Sequence, residues 1–453
     1  MRAARDSWFI ALCGGSILLL AVLAATGALT GQFTSDTVPY FVAAASPEPW
    51  GQIRHPAYGF VAALLGASET APGHVALAQA CLHVAATMVL YGGARCGGIG
   101  RAGAFALALA ALLSQSGLYH LRLLLPESIA NSCLLIAFGL TLAASASSRA
   151  LALLIAPIAL FIGAAYLMRP SHLPAITVVP VVYGLFAWRH RQSRAVLRAA
   201  ALLLAAALPF LAQSTIRLRA VGDFNIVSFG GYQMSPLAGF MLTPEIIARL
   251  PEATWPTAQA VLAGREKAET DGLIARTPLN STGERSFVSA ALGYFDIYAR
   301  GYDDFLGQVI VPLKGANESW VAFNRRLLDF SLATVTAAPL RWAAWVGGAT
   351  ARLGGRAIVT NLPMLIALAL LLIAAVPAFL RRRTLGVAGN DVGAVCVVAL
   401  GWLACTGPLS VLVTFPASRY IDTAALLLPA IPLSLAIALI LAPRRIEPGD
   451  ATT

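Results

Sequence analysis

The chain has 453 residues, 58% of them hydrophobic and only 12% charged, about half the charged share of a soluble domain. Apolar runs on that scale exclude a water-soluble globular protein and mark a chain solvated by lipid. The formal charge of +11 does not mark a nucleic-acid binder, because only Lys267 and Lys314 are lysines and the arginines cluster at the ends of apolar runs, as topology signals do.

A spanning helix needs about 20 largely apolar residues. The first such run, 8–29, follows Arg2 and Arg5; it is too long for a signal-peptide core and lacks a convincing cleavage site. The loop 30–72 reads Phe33-Thr-Ser-Asp36-Thr-Val-Pro39-Tyr40 and then Arg54-His55-Pro56-Ala57-Tyr58. Pro39 predicts a helix start, for which Ser35 or Asp36 would serve as N-cap. Ala57–Ser68 is apolar but too short to span, which predicts a juxtamembrane helix. Further spans are expected at 73–93, 101–117, 127–146, 150–167, 172–188 and 197–213.

The connection 118–126 contains Tyr119, His120, Arg122 and Pro126, and Glu127 opens the following span. Proline at a helix start and an acid in its first turn both suit the helix dipole. Arg169 closes the span 150–167 in Leu-Met-Arg169-Pro170, ahead of Ser171 and His172. Both His120 and His172 read as structural. Segment 214–360 carries most of the acidic residues and both lysines, with helical periodicity at Thr243–Leu250 and Trp255–Leu262. Asp296, Asp303 and Asp304 read there as a solvated face, and the sequons Asn280-Ser-Thr282 and Asn317-Glu-Ser319 as chance matches. Ser331–Thr350 contains Pro339, Arg341, Trp342 and Trp345, which suit a helix at headgroup level. The last spans are expected at 361–380, 388–412 and 420–442, the final one entered through Arg419-Tyr420. The six cysteines form no CxxC pair and lie mostly in apolar runs, where cysteine acts as a small hydrophobe.

The fold class is therefore an all-α polytopic membrane protein of about ten transmembrane helices, with juxtamembrane helices and a mainly helical extracytoplasmic segment. Ten spans return both termini to one side. With the N-terminus in the cytoplasm, every short inner connection carries arginine: Arg95 and Arg101, Arg149, Arg189 to Arg198, Arg381 to Arg383, and Arg444 with Arg445. The outer face then receives Asp36, Glu127, Arg169 and Arg419. Two outward arginines run against the charge rule and face two carboxylates. Arginine offers phosphate a planar fork of donors, and a carboxylate can take the proton of an attacking hydroxyl. No nucleotide is expected outside the membrane, so the natural activated donor is a sugar on a prenyl phosphate.

This pattern resembles the GT-C superfamily of membrane glycosyltransferases, which includes protein O-mannosyltransferases and lipid A aminoarabinose transferases. The resemblance rests on Ser35-Asp36-Thr37 with Tyr40, Arg54-His55-Pro56-Ala57-Tyr58, Leu125-Pro126-Glu127-Ser128, Arg169-Pro170 and Arg419-Tyr420. It implies a seven-span catalytic module in 1–213, an extracytoplasmic segment in 214–360 and a variable three-span module in 361–453. It further implies inverting transfer from a polyprenyl-phosphate sugar to a glycan, lipid or protein acceptor in a bacterial inner membrane. Asp36 would be the catalytic base, and Glu127 a second acid that positions the acceptor or helps hold a metal. Arg169 and Arg419 would meet phosphate, with Tyr40, Arg54, His55, Tyr58 and Tyr420 around the donor headgroup. Many members carry two adjacent acids in the first loop, whereas Asp36 stands between Ser35 and Thr37. The cofactor expectation thus stays open between none and a divalent cation, Mg or Mn. Other classes the sequence allows are a lipid-linked sugar flippase or transporter, an outer-face glycan polymerase or ligase without an essential carboxylate, and a non-catalytic assembly subunit.

Overall fold

The computed structural model describes residues 6–274, 301–380, 388–413 and 417–441. From the N-terminus come α1 (Ser7–Ala25), the short α2 (Val38–Ala45) and α3 (Ala57–Leu64), α4 (Val75–Cys96), α5 (Arg101–Leu112), α6 (Gln115–His120), α7 (Pro126–Ala144), α8 (Ser148–Met168), α9 (Ala175–Arg189) and α10 (Ala195–Val221). The middle segment holds α11 (Gly230–Met241), α12 (Pro244–Ile247), α13 (Trp255–Thr270), α14 (Trp320–Ala337) and α15 (Pro339–Val359). The last part holds α16 (Leu362–Leu380), α17 (Ala388–Thr406), α18 (Pro408–Leu412), α19 (Ser418–Ala424) and α20 (Ala430–Leu441).

Among the described residues the protein is all-α, with seven helices long and apolar enough to cross a membrane: α1, α4, α7, α8, α9 with its leading turn from Pro170, α10 and α16. Three shorter apolar helices lie in α5, α17 and α20. Lipid offers the backbone no hydrogen-bond partner, so these helices close their own ladders. Side chains cap some helix starts: Asp6 caps α1, Ser147 caps α8 and, in the middle segment, Ser319 caps α14.

α7 is the axis of the bundle, buried along nearly its whole length between α4 and α8. Its contact with α4 is backbone to backbone, since a Cβ on Gly93 would lie 1.9 Å from the Gly139 carbonyl oxygen. Small residues permit that approach, and dispersion then holds the helices without a hydrophobic driving force. α1, α10 and α16 instead leave large apolar side chains outward, among them Leu18, Leu204 and Ile373. One core joins α4, α5, α7, α8 and α9 to Val395, Val398 and Trp402 of α17. A second packs Phe240, Phe305, Phe323, Phe330 and Trp345 of the middle segment against Ile421 and Ala424 of α19.

Several boundaries differ from the expectation. The run 420–442 is interrupted: α19 stops at Ala424 and α20 begins at Ala430. Pro429 has no amide to continue the ladder and pushes Leu428 away from helical geometry. The run 101–117 ends at Leu112, because the Ser114 hydroxyl accepts from the Gly117 amide at 2.9 Å and starts α6. Ser331–Thr350 belongs to two helices that meet at Pro339. The cap expected from Ser35 or Asp36 is not formed; Thr37 stands at the N-cap of α2 and its hydroxyl donates to Leu124 O at 3.0 Å. Asp296, Asn280 to Thr282, Arg381 to Arg383, Arg444 and Arg445 lie outside the described residues.

Candidate functional site

The first loop is stitched to the strand-like stretch before α7. The Gln32 amide donates to Arg122 O at 2.7 Å and the Leu124 amide donates back to Gln32 O at 2.9 Å. With the Thr37 bond to Leu124, these contacts set Asp36 in one cavity wall with Leu125 and Glu127. Asp36 accepts from Arg54 Nη2 at 2.8 Å through one carboxylate oxygen and from Arg419 Nη1 through the other. Arg54 is held between rings, its guanidinium 4.6 Å from Phe229 and 5.5 Å from Tyr40.

The second pair is deeper. Glu127, in the first turn of α7, lies 3.6 Å from Arg169 Nη1, and both side chains are buried. Arg169 also donates to Thr423 Oγ1 at 3.3 Å. Its guanidinium lies 4.9 Å from the Tyr420 ring and that of Arg419 lies 5.2 Å from the same ring. α19 thus brings Arg419, Tyr420 and Thr423 onto groups from the first loop and the end of α8.

Between the pairs is a cavity of about 240 Å³, lined by Asp36, Tyr40, Arg54, Glu127, Arg169, Arg419 and Tyr420, with Leu173, Val227 and Phe229 on its apolar side. Three guanidiniums face two carboxylates, so the lining carries a net single positive charge and favours an anion. Burial raises the Asp36 carboxyl, but Arg419 and Arg54 more than offset it and hold it below its ordinary value. Asp36 is therefore ionised at neutral pH and weakly basic while clamped. Burial pushes the Tyr40 phenol up to about 12, so it stays protonated and can donate.

Two of the nine expected residues stand behind this lining. His55 is buried, its Nδ1 accepting from the Ala57 amide at 3.2 Å. Burial, with the charge of Arg217, pushes it down to about 4. A neutral imidazole there supports the loop that carries Arg54. Tyr58 is fully buried, edge-on to Tyr40 at 5.4 Å. Among the nine expected residues, four buried side-chain atoms have no hydrogen-bond partner within the described residues: Arg54 Nε, His55 Nε2, Tyr58 Oη and Glu127 Oε2.

Three other participants carry no distinguishing mark in the sequence. Phe229 and Gln233 wall the cavity from the start of α11. Arg217 is buried at the end of α10 and donates to Trp50 O at 2.7 Å, Asp223 at 3.0 Å and Ser228 Oγ at 2.6 Å. It thereby ties the loop before Arg54 to the loop before Phe229. Asp303, read as part of a solvated face, is raised by burial and feels the charges of both Arg419 and Asp36.

A divalent cation does not fit this arrangement. Both Asp36 oxygens are engaged by guanidiniums and Glu127 Oε1 faces Arg169. Among the described residues no three His, Cys, Asp or Glu side chains converge as a ligand group. Comparison with protein-family models, curated proteins and solved structures finds no match to this chain.

Proposed function

We propose that the chain is a GT-C-type glycosyltransferase moving a sugar from a polyprenyl-phosphate carrier to an acceptor hydroxyl, with inversion. On this reading it crosses a bacterial inner membrane about ten times, keeps both termini in the cytoplasm and works at the extracytoplasmic face. The observation that supports it is the convergence of Arg54, Arg169 and Arg419 on Asp36 and Glu127 around one small, partly apolar cavity at an end of the helix bundle. The arginines suit a phosphate, and the carboxylates suit a hydroxyl losing its proton.

The step is a single displacement. The acceptor oxygen attacks the anomeric carbon, its proton passes to Asp36, and the bond from that carbon to the phosphate oxygen breaks. The electron pair leaves on the phosphate, where Arg169 and Arg419 stabilise the developing charge. Glu127 Oε2, buried and unpartnered, accepts a hydrogen bond that orients the acceptor. The acceptor is a glycan, lipid or protein.

The test is mass spectrometry of envelope glycans and lipid-linked sugars in a deletion strain complemented with wild type or Asp36→Asn at equal expression. Wild type restores a glycosylated product, whose mass names the sugar, and the variant does not. Full restoration by Asp36→Asn refutes the base assignment. It would favour the second reading, a glycan polymerase or ligase that uses arginine and histidine without an essential carboxylate. The double clamp on Asp36, which depresses its basicity, is the observation on that side.

A further inference from the structure

A second, larger cleft of about 780 Å³ opens on the flank of the bundle, and no residue lines both it and the charged cavity. Its floor is the packing of α5 against α20, with α1 on one side and α16 on the other. Leu113, Leu362, Ile366 and Leu370 expose much of their side chains along it. On a helix bundle in lipid, such a cleft takes up hydrocarbon.

One end is different. Arg122, just after α6, is the single charged residue of the lining. Its guanidinium lies 4.7 Å from the Tyr119 ring, and its Nε is buried with no hydrogen-bond partner. Among the described residues no carboxylate pairs with it. Its backbone bond to Gln32 fixes it at the level of the Asp36 loop, the polar end of the bundle. A guanidinium at the rim of a hydrocarbon cleft without an anion is costly and marks a headgroup site.

We propose that this cleft holds one anionic phospholipid of the surrounding bilayer, its chains along α5 and α16 and its phosphodiester on Arg122. One guanidinium matches the single charge of a phosphodiester, whereas the more highly charged cavity has three arginines of its own. The assignment does not depend on the transferase reading, and loss of transfer in Asp36→Asn leaves the lipid in place.

The test is native mass spectrometry of the full chain in mild detergent, exchanged against phosphatidylglycerol or phosphatidylcholine. Wild type retains one phosphatidylglycerol and prefers it by about fivefold, the worth of one arginine facing an anionic headgroup, to phosphatidylcholine, whose choline cation offsets the phosphodiester charge that both lipids carry. Arg122→Gln abolishes the preference and Arg122→Lys keeps part of it. Ala110→Trp, which fills the floor, weakens both lipids. Equal retention of the two lipids by wild type, or an unchanged preference in Arg122→Gln, overturns the proposal. Displacement of phosphatidylglycerol by equimolar polyprenyl phosphate also overturns it and assigns the cleft to the carrier.

Discussion

Replacing Arg169 with Gln leaves Glu127, 5% exposed, without its ion-pair partner and with Arg419 as the remaining arginine that acts on it. Breaking a buried pair from one side costs about 3–5 kcal/mol, because the surviving charge is stranded. The 3.6 Å separation is longer than a tight charge-assisted bond of about 2.8 Å, which argues for the lower end. There is also a ceiling: a stranded carboxyl can take a proton, and from an ordinary value of about 4.3 that costs roughly 4 kcal/mol at neutral pH. The expected loss is therefore about 3 kcal/mol. It shrinks to about 1 kcal/mol near pH 5, where protonation is nearly free. Removing the charge as well, in Arg169→Gln/Glu127→Gln, recovers about 2 kcal/mol, since a neutral pair can hydrogen-bond without desolvation of an ion. The assay is unfolding in detergent read by a thiol-reactive dye, as buried Cys133 and Cys405 become accessible. A loss under about 1 kcal/mol at neutral pH, or a double variant no more stable than the single, would falsify the idea that this pair is electrostatically buried.

Asp36→Asn lowers transfer by about 10²–10⁴-fold if the carboxylate is the base, yet costs only about 1 kcal/mol of stability because the clamp is partly solvated; near-normal transfer rules the base out. His55 is depressed to about 4 in the fold, so between that value and about 6.5 the unfolded chain binds more protons and stability falls on acidification, by up to roughly 3 kcal/mol. His55→Gln removes that slope, and an unchanged slope means the buried imidazole is not its source. Gly93→Ala, whose Cβ would collide with the Gly139 carbonyl, abolishes monodisperse protein, whereas Gly92→Ala meets nothing within 4 Å and is tolerated. Similar behaviour of the two in size-exclusion chromatography contradicts the close packing of α4 on α7.

What the sequence showed and hid follows the range of the interactions. Apolar runs are local, so among the described residues seven of the ten expected spans coincide with helices long and apolar enough to cross a membrane and three with shorter apolar helices, and the errors fall where a single proline or serine decides a boundary, as at Pro429 and Ser114. Seven of the nine residues named from loops expected on one face line one cavity, because loops that share an end of a helix bundle are limited in where they can meet. Their partners were not legible. Asp36 finds Arg54 eighteen residues away but Arg419 at a separation of 383, and no spacing rule reaches that far. The N-cap role suited Asp36 by local logic, yet Thr37 stands at that position and reaches across to Leu124. Phe229 and Arg217 sit in stretches with no distinguishing pattern, and only folding brings them to the first loop.

On the proposed reading, the clamp on Asp36 explains how a strongly neutralised carboxylate can act as a base. Each guanidinium has five donors, and Asp36 takes one from Arg54 and one from Arg419. Arg54 Nε stays buried and unpartnered, which costs about 1–3 kcal/mol until an acceptor arrives. A carrier phosphate supplies acceptors to these arginines and competes with Asp36 for their charge. Its arrival weakens the attraction that depresses the carboxyl, while burial, which raises it, remains. The basicity of Asp36 therefore increases when the donor is seated and falls again when it leaves. A base switched on by its own substrate draws a proton only in the complex that contains both donor and acceptor. On this reading the phosphate that occupies the cavity also arms the residue, so the proton is drawn from the hydroxyl that Glu127 orients.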